Sequence, residues 1–278
     1  MKKMGRLVLG VSGVLTLWGS AWAGDAERLL MATTTSTEAT GFLDALAPKV
    51  KEVLNIDLQW VATGTGKALE LGKRCDADLL LVHAPDVEEA YVQQGYGINR
   101  RRLMFNDFVV VGPSEDPARV KNCSIEEAMR RIAGSGAPFV SRGDASGTHV
   151  KEKELWRAAG FGNEFAYPGY IETGQGQMAT LDIAAQRRAY ALTDRATFIK
   201  FGQDPSRAAS LRVLVEGGEV LINRYSLITV RPEKCPKVRA AAAEKFTDWM
   251  VGPQGQAFIE AFRVGGKAVF FPDAQGPQ

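Results

Sequence analysis

The chain has 278 residues, a formal net charge of +2 and 24% charged residues. A balance this close to neutral carries no long-range field for nucleic acid or an anionic membrane surface. Three cysteines, Cys75, Cys123 and Cys235, are too few for a disulfide scaffold, and an odd number leaves at least one unpaired.

Lys2, Lys3 and Arg6 precede an apolar run from Leu7 to Trp18, and Ala21-Trp22-Ala23 forms an A-x-A cleavage site. This reads as a secretory signal peptide over residues 1–23, with the mature chain starting near Gly24. The run is shorter than the roughly 20 residues of a membrane span, and no cysteine stands at the cleavage site for a lipid anchor. The roughly 255 residues that remain suffice for one large domain or two lobes.

The mature chain alternates short apolar runs with amphipathic stretches, which argues for an α/β fold. Leu29 to Ala32 predicts a strand followed by a threonine-rich turn. Gly41 to Val53 predicts a helix with Phe42, Leu43, Leu46, Val50 and Val53 on one side. Asp57 to Ala62 predicts a strand, Lys67 to Leu71 a helix start, Ala77 to Val82 a buried strand and Glu88 to Gln94 a helix. Phe108 to Pro113 is a strand closed by Gly-Pro, and Ser124 caps a helix from Ile125 to Ile132. Ala137 to Val140 and Ala189 to Thr193 are further strands, the first leading through a loop to a helix from Val150 to Ala159. Leu227 to Val230 is a late strand, and helices from Val238 to Met250 and Gln254 to Phe262 follow. Trp60, Trp156 and Trp249 fall at core positions.

Three hydroxyl-rich segments stand where a strand ends and a helix begins: Thr33 to Ser36, Thr63 to Gly66, and Ser141 to His149. Backbone N–H groups are unpaired there and the helix dipole is positive, so an anion is favoured. Ser36 also reads as a cap of the following helix. Thr63-Gly64-Thr65-Gly66-Lys67 is close to the end of a nucleotide P-loop but departs from it. Val61 stands where the first glycine belongs, and Ala68 replaces the magnesium-binding hydroxyl. Arg142, beside Gly143, can offer a planar fork to an oxyanion, and Asp144 is close enough to pair with it. Thr193-Asp194-Arg195 reads either as a further edge of the site or as a helix cap with a salt-bridged arginine.

A different class also has to be weighed. His83, Asp107 and Ser146 occur in the order of a serine hydrolase, and Gly143 to Gly147 is similar to a nucleophile loop. Order alone proves nothing without geometry, and the G-x-S-x-G spacing is not met. A secreted hydrolase using Ser146 stands as the alternative.

Several segments resemble the periplasmic tungstate-binding proteins of ABC importers, the TupA family. They are TTTSTEATGFLDAL from Thr33, ATGTGKALELG from Ala62, DADLLLVHAP from Asp76 and FNDFVVVGP from Phe105. SRGDASGTHVKEKELW from Ser141, ETGQGQMATL from Glu172 and AYALTDRATF from Ala189 follow. The resemblance implies an α/β, two-lobed periplasmic-binding-protein fold of type II-like form, with tungstate in the interlobe cleft and a membrane permease as partner. Lobe I would comprise residues 24–105 plus 226–278, and lobe II residues 106–225. By position, ligand roles fall to Thr35, Ser36, Thr65, Arg142 and Thr148, with Ser141 and Ser146 beside them. No cofactor, catalytic residue or protein-bound metal is implied, since tungsten is held only as its oxyanion; a monomer is expected.

The chemistry agrees with that donor set. Tungstate at neutral pH is a tetrahedral dianion without a proton, so every contact must donate. Hydrogen phosphate needs an acceptor as well, and Asp144 keeps it as an alternative, although Asp144 is expected to hold Arg142 instead. Molybdate is nearly isosteric with tungstate and residue types do not separate the two.

Overall fold

The computed structural model describes residues 25–162 and 167–274; the leader assigned to residues 1–23 lies outside them. The first third comprises β1 (Glu27–Thr34), α1 (Thr35–Ala39), α2 (Phe42–Leu54), β2 (Ile56–Thr63), α3 (Thr65–Lys73), β3 (Leu79–Val82), α4 (Pro85–Gln93) and β4 (Gly97–Gly112). The middle comprises α5 (Ile125–Ser135), β5 (Phe139–Ser141), α6 (Gly147–Ala158), β6 (Tyr170–Glu172), α7 (Gln177–Arg187), β7 (Ala191–Asp194), α8 (Arg195–Phe201) and β8 (Arg212–Val215). The last part comprises β9 (Ile222–Val230), α9 (Ala240–Val251), α10 (Pro253–Ala261) and the short β10 (Arg263–Val264), β11 (Lys267–Ala268) and β12 (Phe271–Pro272).

The main sheet runs β12-β4-β9-β3-β1-β2. β1 pairs in parallel with β2 and β3, whereas β9 lies antiparallel to β3 and β4. β3 is buried along its whole length, as expected of a central strand covered on both faces. β4 does two jobs. Its residues from Gly97 to Asp107 pair with β9, and those from Phe108 to Gly112 pair with β7 and β8. β5 pairs with β6 in a separate parallel sheet.

The apolar cores divide in the same way. Two clusters draw on residues Leu29 to Met104 and Tyr225 to Phe270, with Ala196 added from α8. Two others draw on residues between Phe108 and Leu221. α2 buries Phe42, Leu43, Leu46 and Val50, and the Phe42 ring meets Phe258, Phe262 and Phe270 edge-on. Gly41 allows the sharp entry to this helix, since its φ of 76° would strain a residue with a side chain.

Some expectations need correction. Val53 is 40% exposed and not on the core side of α2. Of the three tryptophans only Trp156 is fully buried; Trp60 and Trp249 are partly so. β4 is 16 residues long, far more than Phe108 to Val111 announce. Its first half hides because Arg100, Arg101 and Arg102 break the apolar alternation. Arg100 pairs with the buried Glu88 at 2.9 Å, and Arg102 with Asp273 at 2.6 Å. Cys75 and Cys235 form a disulfide, a pairing the sequence left open, and Cys123 is free.

Candidate functional site

The threonine-rich segment after β1 is a strand end followed directly by a helix. Thr34, and not Ser36, caps α1, its Oγ1 accepting from Thr37 N at 3.4 Å. Thr35 thereby becomes the first helical residue and Ser36 the second. α3 starts at Thr65 behind Gly64, which has no side chain to cap it, so its first-turn N–H groups stay available to another acceptor. α6 starts at Gly147, three residues before the apolar periodicity does. Ser146 caps it by accepting from His149 N at 3.2 Å.

These helix starts converge. Arg142 Nη2 donates to Thr35 Oγ1 at 3.3 Å. A Cβ added to Gly64 would lie 3.4 Å from the Asp144 carbonyl oxygen and 3.6 Å from Ser146 Cα, so the α3 loop rests on the 144–146 turn. A Cβ on Gly147 would come within 2.6 Å of His83 Cε1, and His83 Nε2 lies 3.4 Å from Ser36 Oγ. All seven residues singled out in the sequence therefore belong to one network of adjoining loops.

Their hydrogen-bonding states differ. Thr65 Oγ1, Ser141 Oγ, Arg142 Nε and Thr148 Oγ1 are buried without a partner. Ser141 Oγ faces the Glu152 carboxyl and the Tyr170 hydroxyl, yet no bond of good geometry joins it to either. Ser36 is already engaged with Thr34 Oγ1 at 3.1 Å. Ser146 Oγ accepts from a backbone amide and still has its own proton to give.

Arg142 is 2% exposed and pairs with Asp144 at 2.5 Å, while Asp144 also accepts from Ser146 N at 3.1 Å. Burial works against the Asp144 charge, but the Arg142 guanidinium and the Ser146 contacts prevail and hold its carboxyl below the usual range. Asp144 therefore orients Arg142, as expected.

His83 is the hub behind the loops. Its Nδ1 bonds Asn223 Oδ1 at 2.9 Å, and Asn223 Nδ2 donates to Asn106 Oδ1 at 2.7 Å and to Tyr225 Oη at 3.1 Å. With both amide protons spent, Asn223 Oδ1 must accept, so Nδ1 carries the His83 proton and Nε2 accepts. Burial, against the pull of Asn223 and helped by Arg142, lowers the His83 pKa from 6.5 to about 4. The unfolded chain takes up this proton near pH 6.5 and the folded chain does not. Stability is thus full above pH 6.5 and falls by about 3 kcal/mol as the pH drops toward 4. Thermal melts between pH 7 and 4 check this: His83→Gln should flatten the fall, and parallel curves would contradict it.

The hydrolase alternative fails on geometry. Asp107 is held by Arg195 at 2.6 Å, the His83 nitrogens face Asn223 and Ser36, and Ser146 is a helix cap. Thr193-Asp194-Arg195 takes its structural form: Asp194 caps α8 by accepting from Thr197 N at 2.9 Å. Sequence reasoning overlooked two supports of the site. One is Asn223, which reaches His83 across 140 positions. The other is the start of α7, where a Cβ on Gly176 would sit 3.9 Å from Thr35 Oγ1. A Gly-x-Gly run at a helix start, ending at the cap in Gly174-Gln175-Gly176 and beginning at it in Gly64-Thr65-Gly66, was the available signal.

A family model described as a PBP superfamily domain matches residues 21–254. A tungstate-binding protein TupA of Campylobacter jejuni is 38% identical over 240 residues, covering 86% of this chain and 89% of its own. A solved tungstate-binding protein from Desulfovibrio alaskensis G20 is 48% identical with a TM-score of 0.79, over 90% of this chain and 100% of that one. The solved tungstate ABC transporter protein from Geobacter sulfurreducens is 42% identical with a TM-score of 0.77, over 85% and 99%.

Proposed function

The chain belongs to the PBP superfamily and, within it, to the TupA family of tungstate-binding proteins, and on that footing we propose that it captures tungstate between two lobes for an ABC importer permease. It is a solute-binding protein and not an enzyme. One observation carries the choice of an oxyanion: donors at Thr65, Ser141, Arg142 and Thr148 are buried without partners. A buried unsatisfied donor costs about 1–3 kcal/mol, and a dianion with acceptors on four oxygens satisfies such a set at once.

Ligand roles go to Thr35, Ser36, Thr65, Ser141, Arg142, Ser146 and Thr148. About seven charge-assisted bonds are worth roughly 10–20 kcal/mol gross. Association and ordering take back several kcal/mol, which leaves sub-micromolar to nanomolar binding within reach. The Arg142 charge is largely spent on Asp144, so the dianion also leans on the N-termini of α3, α6 and α7. Lobe I is residues 24–105 plus 226–278 and lobe II residues 106–225. The division of the cores and the double pairing of β4 support this; Arg142 already meets Thr35 across the two donor sets, and hinge opening about β4 and β9 would part them to admit the anion. The protein acts as a periplasmic monomer, exported by the leader over residues 1–23; no described helix is long and apolar enough to cross a membrane.

Molybdate is the second reading, because the same donors fit it. Phosphate is disfavoured: its proton needs an acceptor, and Asp144 is already taken by Arg142 and Ser146 N. Calorimetric titration of the mature protein at pH 7.5 tests the assignment. Tungstate and molybdate should bind at least about a hundredfold more tightly than phosphate. Tighter binding of phosphate would refute it.

A further inference from the structure

Behind the ligand loops lies a buried acid that the binding account does not use. Glu152 sits one helical turn past Thr148 on α6 and is 1% exposed. Tyr170 Oη donates to its Oε1 at 2.6 Å and Trp156 Nε1 donates to the same oxygen at 3.2 Å. Its carboxyl also faces Ser141, whose hydroxyl is buried and without a bond. Two donors thus fix one oxygen of the acid. The same carboxyl stands beside a serine of the proposed ligand shell.

A serine hydroxyl has one proton and can aim it in one direction. Beside a charged carboxylate, the Ser141 proton is drawn to Glu152 and lone pairs face the anion. Beside a protonated carboxyl, Ser141 Oγ accepts instead, and its own proton is free for the anion. We propose that Glu152 is a positioning residue that takes up one proton from solvent when the oxyanion binds and, as the neutral acid, donates to Ser141 Oγ. Ser141 thereby becomes a ligand donor. The proton moves from solvent to Glu152, and no bond of the ligand is made or broken. This rests on the oxyanion reading above.

The surroundings fit a proton held near neutrality. Burial, against the bonds from Tyr170 and Trp156 and the nearby Ser141 hydroxyl and assisted by the Glu172 charge, pushes Glu152 up to about 7. The other groups facing it are Tyr170 and Tyr167, both raised by burial and neutral throughout. α5, packed on the same core, contributes the apolar Met129 and Ile132. On β7, Asp194 is occupied in capping α8. A dianion nearby favours the protonated acid further, so binding and protonation must support each other. Affinity should therefore fall as pH rises. Tungstate stays a dianion between pH 7 and 9, and any slope in that window belongs to the protein.

Calorimetry with tungstate from pH 7 to 9, in buffers of different ionisation enthalpy, is the test. Wild-type affinity should weaken about tenfold across the window, with net proton uptake. Glu152→Gln keeps an acceptor for Tyr170 and Trp156 and gives Ser141 a permanent donor. It should bind at pH 7 within about threefold of wild type and lose both the slope and the proton uptake. Ser141→Ala should bind more weakly and keep only the shallower slope that the charge of the dianion imposes on Glu152. A flat wild-type profile without proton exchange, or a sloping Glu152→Gln profile in a protein that melts normally, would overturn the proposal. Absence of any tungstate binding by wild type would overturn the oxyanion reading itself.

Discussion

Replacing Arg142 by alanine is expected to weaken tungstate binding about a thousandfold, a loss of about 4 kcal/mol. Two effects add. The anion loses the guanidinium whose Nε is buried without a partner. Asp144, held 2.5 Å from Arg142 and only 19% exposed, is then left as an unpaired negative charge facing a second one. The Asp144 contribution can be separated from the first. Arg142→Ala combined with Asp144→Asn should recover part of the loss, because the repulsion is gone while the missing donor is not. Titration calorimetry on the single and double variants reads both terms. Near-normal affinity in Arg142→Ala would remove Arg142 from the site, and no recovery in the double variant would remove Asp144 as the source of repulsion.

The second large effect is on stability. The Cys75–Cys235 disulfide links positions 160 apart, so it closes a loop that contains most of the fold. Chain entropy assigns such a closure up to about 5 kcal/mol, with residual unfolded structure reducing the measured value. Cys75→Ala with Cys235→Ala, or reduction by dithiothreitol, should lower the melting temperature by about 10 °C, given about 2–4 °C per kcal/mol for a chain of this size. Neither sulfur lies among the ligand loops, so tungstate affinity measured well below the transition should stay the same. An unchanged melting temperature under reductant would mean that the bond does not tie the native state in solution.

Local signals in the chain read well and long-range ones did not. The Ser124 cap, the apolar face of α2 up to Val50, the fully buried β3 and the strand-loop-helix around Arg142 all follow from side chains a few positions apart. The first half of β4 was hidden, because its arginines are satisfied by Glu88 and Asp273 and only the folded chain brings those carboxylates near. α1 was missed for a different reason. Five residues starting with Thr-Ser-Thr carry no helical periodicity, and Thr34 competes with Ser36 for the cap. At the candidate site, the hydroxyls and Arg142 that the structure brings together stood out as residue types before helices. Their support by Asn223, Asn106 and Glu152 depends on distances that no spacing in the chain encodes.

Diffraction from crystals grown with tungstate, recorded where tungsten scatters anomalously, tests the location of the site most directly. The account predicts one strong anomalous peak enclosed by Arg142, Thr65 and Thr148, with protein donors, and no protein acceptor, against the tungstate oxygens. A peak on another surface, or one with a carboxylate oxygen against the anion, would contradict it.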